Sequence, residues 1–316
     1  VYCRRRLYAW NVFASTTVAV PVIVVGNITV GGTGKTPLVI WLARTLRERG
    51  YRPGILAGGY GGSGEGPEAV GPVDDPRMRG DEAVLLAQRT GAPVWSGKRR
   101  DATALALLQS HPECDLLICD DGLQHYRLRR DIEIAVEDER GVGNGCMLPA
   151  GPLREPVGRP VDARVVNTAN RVAAGRFRMH VEPAGIYQLD TPDITLDVSA
   201  FHGKRLHAVA GIGEPERFFA SLRSLGLEAT THVFPDHHDF TPQDLDFENC
   251  DAVLMTEKDA VKCGRLVFQS PVSATVARLT AKSVTRSKLY ALRVEASLDH
   301  EFTLFIEKRL NGLKAA

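Results

Sequence analysis

The sequence predicts an α/β protein: a doubly wound, mostly parallel sheet followed by a second, smaller α/β domain. Three observations carry that expectation. Runs that are apolar on consecutive residues, such as "VPVIVV" (20–25) and "DLLIC" (115–119), suit parallel strands buried on both faces. Those runs alternate with segments of helical periodicity. A glycine-rich turn joins the first strong strand run to the first strong helix.

Leu7 to Gly34 holds no charged residue across 28 positions. A membrane-spanning helix needs roughly 20 predominantly apolar residues. Pro21 interrupts this stretch, and its second half is the β-branched strand run. Leu7 to Val20 is then too short and carries Asn11, Ser15, Thr16 and Thr17, so no spanning helix is expected. In front of it, "CRRRLYAW" is basic and aromatic, as at a membrane surface. A solvated turn before the fold begins is the alternative, and both stay open. The chain starts at Val1 rather than Met, which leaves room for an upstream segment.

The strand runs continue with "GIL" (54–56), "PVW" (93–95), "DLLIC", "IEIAV" (132–136) and "ARVVN" (163–167). Between Pro37 and Gly50, Leu38, Trp41, Leu42 and Leu46 share one helical face. Arg44, Arg47 and Glu48 face away, and Gly50 supplies the stop. Asp81 to Arg89 and Arg99 to Gln109 also have helical spacing. Around Arg176 the pattern changes: "FRMHVEPAGIYQLD" and "ITLDV" suit extended linker strands. A second βα set follows, "RLHAVAGI", the helix "EPERFFASLRSLG", "EATTHVF" and "DAVLMT". The expected domains are therefore 1–175, with 1–19 as a membrane-proximal segment, and 176–316. "GGYGGSGEG" (58–66) has six glycines in nine residues and suits either a lid with close backbone approach or an exposed loop.

Of 316 residues, 44% are hydrophobic and 24% charged, as in soluble globular proteins. The net charge of +1 provides no global field for nucleic acid. Six cysteines without a C-x-x-C pair argue against a disulfide framework or zinc site and fit a reducing cytoplasm.

The turn reads "VGGTGKT" (30–36). A phosphate cradle needs consecutive N–H groups turned inward, which glycines permit, and a helix N-terminus adds a favourable dipole. Gly31, Gly32, Thr33 and Gly34 suit the cradle, Lys35 reaches the β/γ-phosphates of a bound nucleotide, and Thr36 holds Mg²⁺. This is a P-loop of the kind found in P-loop NTPases, although the strict pattern wants glycine where Thr29 stands. That mismatch affects loop entry, not the cradle. Asp120 and Asp121 follow a buried strand, where P-loop sites place a carboxylate that orients Mg²⁺.

Four further blocks point to the acceptor: "DDGLQHYRLRRDIEIAV" (120–136), "RGVGNGCMLPAGPLREP" (140–156), "FPDHHDF" (234–240) and "LMTEKDAVKC" (254–263). They resemble the tetraacyldisaccharide 4′-kinase family, the lipid A 4′-kinases of Gram-negative bacteria, and the resemblance runs from "VPVIVVGN" onward. It implies γ-phosphoryl transfer from ATP to the 4′-hydroxyl of a tetraacylated glucosamine disaccharide 1-phosphate, giving lipid IVA. It also implies a location on the cytoplasmic face of the inner membrane, peripheral or N-terminally anchored, with no obligate protein partner.

By the same resemblance, Lys35 and Thr36 bind triphosphate and Mg²⁺, and Asp120 and Asp121 form a Walker-B-like acidic pair. Asp81 matches the catalytic aspartate, and His237 its partner in a dyad. For both to act on one hydroxyl, the two domains would close around a cleft. Tyr60, Glu82, Gln124, His125, Glu155 and either Arg99 or Arg100 fall in active-site blocks. There are departures. Gly58 stands where the family usually has arginine in S-R-G-Y-G, and Ala83 where it reads G-D-E-P. The family's leading apolar helix is represented only by its basic end. Rival expectations are a nucleotide switch with a protein partner and a soluble small-molecule kinase.

Overall fold

The computed structural model describes residues 2–10, 12–58, 66–268 and 288–314. Tyr60 and most of the glycine-rich stretch lie outside them. The chain divides into two compact units, Val1–Asp74 with Met78–Val181 and Ala296–Ala316, and Asp75–Arg77 with Glu182–Glu295. The last twenty-one residues, expected with the second domain, thus group with the first unit.

The first unit starts with α1 (Tyr2–Ala9), β1 (Val22–Gly26), α2 (Lys35–Glu48), β2 (Pro53–Ala57), β3 (Glu68–Val70) and α3 (Pro76–Arg79). It continues with α4 (Asp81–Thr90), β4 (Val94–Ser96), α5 (Arg100–Ser110), β5 (Leu116–Cys119), β6 (Ile132–Asp138), β7 (Ala163–Asn167) and the first part of β8 (Phe177–Gln188). Its strand order is β8-β7-β6-β1-β5-β2-β4-β3. Every pairing is parallel except that of β3 with β4, at the edge.

The order explains the double winding. From β1 through α2 to β2, and on through α4 to β4, the chain steps one way across the sheet. From β4 through α5 to β5 it steps back. Right-handed crossovers then place α5 on the opposite face from α2 and α4. The packing agrees: Ala104 and Leu107 of α5 join Val22, Val24, Leu56, Leu117 and Cys119 in one apolar cluster. Gly54 in β2 is required by that contact, since a Cβ there would lie 2.6 Å from a Leu107 methyl. Leu38, Leu42 and Leu46 of α2 are at most 2% exposed, and such burial contributes about 1.5–3 kcal/mol per side chain. The C-terminal helix, His300–Lys314, joins this unit through Phe302, whose ring lies 5.8 Å from Trp41 of α2 and 5.1 Å from Phe177 of β8.

In the second unit the remainder of β8 pairs with antiparallel β9 (Thr191–Leu196). Then come β10 (Leu206–Ala210), α6 (Pro215–Ser224), β11 (Ala229–Val233), β12 (Ala252–Thr256), α7 (Glu257–Phe268) and β13 (Leu289–Leu298). The order is β11-β10-β12-β13-β8, with β11, β10, β12 and β13 mutually parallel. Alternate residues feed two clusters. Ala208, Ala210 and Leu254 meet Phe218, Phe219 and Leu222 of α6. Val209, Val253 and Met255 meet Phe240, Leu245 and Cys263. The fold is the expected α/β class.

Candidate active site

The loop after β1 has the backbone of a phosphate cradle. Gly31 has φ +95° and Gly34 φ +98°, a left-handed region that favours glycine. Space makes the same demand at Gly34, where a Cβ would lie 2.8 Å from Asn167 Nδ2 and 3.0 Å from the Met179 methyl. Asn167, at the end of β7, donates from Nδ2 to the Thr33 carbonyl at 3.3 Å and anchors the loop from behind. Helix α2 begins at Lys35, with Pro37 in its first turn, Gly34 as its N-cap and no side-chain cap. Lys35 and Thr36 therefore occupy its first turn, where the backbone N–H groups have no intrahelical partner and suit an anion.

Thr29 has a structural explanation. It forms an antiparallel bridge with Leu153, flanked by Val30 N–H to Pro152 O (2.8 Å) and Arg154 N–H to Ile28 O (2.7 Å). Position 29 is extended backbone paired with the "GPLREP" segment, so glycine is not needed there. The same pairing brings in Arg154, a residue that the sequence reading missed. Its guanidinium donates to both oxygens of Asp121, at 2.8 and 3.0 Å, and to Asn27 Oδ1 at 3.0 Å. Asn27 in turn donates to the Gly31 carbonyl at 3.2 Å.

Asp120 and Asp121 follow β5, as expected, but their environments differ. Asp121 has φ +47° and meets Lys35 Nζ at 3.8 Å as well as Arg154. Burial pushes its carboxyl up, but Lys35 and Arg154 more than offset that and hold it below the usual range. Asp120 is 1% exposed, and its Oδ1 has no hydrogen-bond partner. Burial pushes its carboxyl up to about 7, with help from Glu82 and Asp121 and against Lys35 and Arg100.

That difference predicts a trade between stability and activity. With the folded value above the ordinary 3.8, the folded state favours protonated Asp120. The resulting destabilisation is absent below pH 4, grows as pH rises towards 7, and is complete above it. Asp120→Asn should therefore raise the melting temperature of metal-free protein at pH 8, and not at pH 4, while lowering turnover. Thermal melts at the two pH values check this; a lower melting point than wild type at pH 8 would refute it.

The other candidates fall into place around this pair. Arg100 is buried and donates to the carbonyls of Gly97 (2.5 Å) and Asp120 (3.3 Å). Arg99 is an exposed side chain paired with Asp101 at 2.6 Å. Of the two arginines, Arg100 is the one beside the acidic pair. Gln124 donates to the Asn27 carbonyl at 3.4 Å. His125 is half-buried, and its carbonyl accepts from Arg130 at 2.5 Å. Asp81 starts α4 and is 6% exposed; its Oδ1 accepts the Glu82 N–H at 2.8 Å.

Glu155 is fully buried, accepting from the Tyr126 hydroxyl at 2.6 Å and meeting Arg159 at 3.2 Å. Arg159 also donates to the Leu123 carbonyl at 2.9 Å and reaches Glu133 at 2.7 Å. Glu155 thus ties the "GLQHY" loop to the "LREP" segment from within. His237 belongs to the second unit, in the loop after β11. It has φ +60°, and its N–H donates to the Gly211 carbonyl at 3.1 Å.

A glycine-cornered loop between a buried parallel strand and a helix, with a lysine facing an acidic strand end, defines a P-loop nucleotide-binding protein. The sequence profile described as Tetraacyldisaccharide-1-P 4′-kinase (LpxK) matches residues 1–311, and the chain belongs to that family. It is 51% identical to the tetraacyldisaccharide 4′-kinase of Halorhodospira halophila, over 83% of this chain and 80% of that protein. It is 48% identical to that of Methylobacillus flagellatus, over 89% of this chain and 86% of that one. A crystal structure of LpxK from Aquifex aeolicus in complex with ATP superposes with a TM-score of 0.77 at 28% identity, covering 98% of this chain and 95% of that one.

Proposed function

We infer that this chain is an ATP-dependent lipid kinase that moves the γ-phosphoryl of ATP to the 4′-hydroxyl of a tetraacyldisaccharide 1-phosphate, giving lipid IVA. Family membership carries this inference, and the chemistry of the site supports it. Phosphoryl transfer is mostly positioning and charge stabilisation. The cradle of Gly31 to Thr36 holds the triphosphate, and Lys35 faces its transferring end. Arg154 and Arg100 add fixed positive charge beside the acidic pair.

The donor set fits Mg²⁺, a hard cation that takes oxygen ligands. Asp120 has a buried carboxylate oxygen without a hydrogen bond, and the Thr36 hydroxyl stands in the first turn of α2. Asp121 is engaged by Arg154 and Lys35, so Asp120 and Thr36 would hold the ion, with Asp121 behind them. Bound Mg²⁺ would neutralise charge on the phosphates. Asp81 accepts the proton of the 4′-hydroxyl, and His237 orients it or shares the charge.

Incubation with ATP and Mg²⁺, with and without a lipid A disaccharide acceptor in detergent, tests this function. ATP consumption should be slow alone and should rise with acceptor, one phosphate entering lipid per ATP used. Hydrolysis stimulated by a protein and indifferent to the lipid would favour a nucleotide switch.

The acceptor also implies work at a membrane surface, on the cytoplasmic face. No described helix is long and apolar enough to cross a membrane. The segment read as either a membrane contact or a turn is helical over Tyr2–Ala9. It contains Arg4, Arg5 and Arg6, and is followed by exposed Trp10, Val12 and Phe13. Each basic residue near an anionic surface adds about 1 kcal/mol. Binding to anionic vesicles should thus exceed binding to neutral ones and weaken as salt rises. Equal binding to both at low salt would contradict a membrane role for α1.

A further inference from the structure

We propose that Asp259 and Lys262, in the "TEKDAVK" segment, are positioning residues that fix the main chain of His237. The proposal rests on the catalytic reading of His237 given above. Lys262 Nζ lies 2.7 Å from Asp259 Oδ1 and donates to the Gly211 carbonyl at 3.2 Å. Asp259 Oδ2 accepts the N–H of the same Gly211 at 3.2 Å, and the Thr256 hydroxyl at 2.7 Å. The pair therefore grips both polar groups of Gly211. The His237 N–H donates to the same Gly211 carbonyl at 3.1 Å, a bond it shares with Asp236 Oδ1, also at 3.1 Å. Two bonds thus separate His237 from a buried ion pair.

The surroundings leave this linkage little freedom. Asp259 is 0% exposed, and the Lys262 side chain only 7%. A Cβ on Gly211 would lie 3.2 Å from both Asp259 Oδ1 and His238 Cβ. Lys262 Nζ sits 5.3 Å from the centre of the Phe240 ring, which closes the other end of "DHHDF". His237 holds a φ of +60°, which costs a non-glycine residue free energy and persists only where the surroundings impose it.

Stability alone is a weak reason for this arrangement, because well-packed apolar side chains often replace a buried ion pair at no loss. What apolar residues could not do is hold the N–H and carbonyl of Gly211 at once. Small misplacements of a reacting group are expensive in rate, about 10²-fold for 1 Å. Position, more than stability, is what the pair supplies.

The test is a kinetic cycle of Lys262→Met, Thr256→Val and Lys262→Arg against His237→Ala, with melting temperatures measured alongside. Lys262→Met should lower kcat about 10- to 100-fold while leaving the KM for ATP unchanged. Thr256→Val should do the same to a smaller extent, and Lys262→Arg should recover part of the loss. In the His237→Ala background none of the three should lower kcat further. Wild-type kcat in Lys262→Met, or additive loss with His237→Ala, would overturn the positioning role. If Lys262→Met does not fold, the same two criteria apply to Thr256→Val. An unimpaired His237→Ala would instead remove the catalytic role on which the proposal stands.

Discussion

Replacement of Asp81 by alanine should lower kcat by about 10²–10⁴-fold, the range for loss of a general base, with little change in ATP affinity. Asp81 is buried at the start of α4, outside the cradle, and its neighbour Glu82 is close enough to raise the Asp120 carboxyl. In the proposed mechanism it acts on the acceptor rather than on nucleotide binding. Asp81→Asn keeps the bond from Glu82 N–H and isolates the loss of the base from any loss at the helix terminus. His237→Ala should fall in the same range. If the two act as a unit, Asp81→Ala with His237→Ala should be scarcely worse than the more impaired single variant. Fully additive losses would dissolve the dyad, and normal turnover by Asp81→Asn would remove Asp81 from catalysis.

Lys35→Ala is the second large effect, with kcat down by roughly 10²–10³-fold on the scale of one lost electrostatic donor. Lys35 occupies the first turn of α2 and faces Asp121 at 3.8 Å. Arg154 still holds Asp121 in the variant, so the site keeps its shape and loses the charge at the transferring phosphate. Lys35→Arg should rescue poorly, because a planar guanidinium does not substitute for a compact ammonium at a crowded turn. Full activity in folded Lys35→Ala would end the nucleotide assignment to this loop.

The parallel strands were legible because burial on both faces makes their apolar runs contiguous: "VPVIVV" covers β1 as far as Val25 and "DLLIC" contains β5. Three-residue β3 sits at an edge and carries no such run. The apolar face of α2 was legible from Pro37 onward, and Pro37 lies in the first turn of a helix that begins at Lys35 after the Gly34 N-cap. α7 does have a start signal, Glu257 and Asp259 in its first turn ahead of an apolar stripe, but the segment was read only as a family block.

Within the site, Lys35, Thr36, Asp120 and Asp121 were legible from strand and loop grammar. Arg154 was not, since only the bridge of Thr29 with Leu153 brings it to Asp121. The choice between Arg99 and Arg100 likewise depended on which side chain the start of α5 turns inward. Glu155, expected in an active-site block, is buried between Tyr126 and Arg159, contacts that the sequence did not signal. Tyr60 lies outside the described residues. No local pattern in "FPDHHDF" shows that His237 hangs from Gly211; that linkage is tertiary.

The central claim is the transfer to a 4′-hydroxyl, and phosphorus NMR of the lipid product tests it most directly. After incubation of the protein with ATP, Mg²⁺ and tetraacyldisaccharide 1-phosphate, the account predicts one new phosphomonoester resonance. It should couple to the proton at the 4′ carbon and appear beside the unchanged 1-phosphate. A spectrum showing only the 1-phosphate, or a new phosphate at another position, from a folded protein that binds ATP would contradict it.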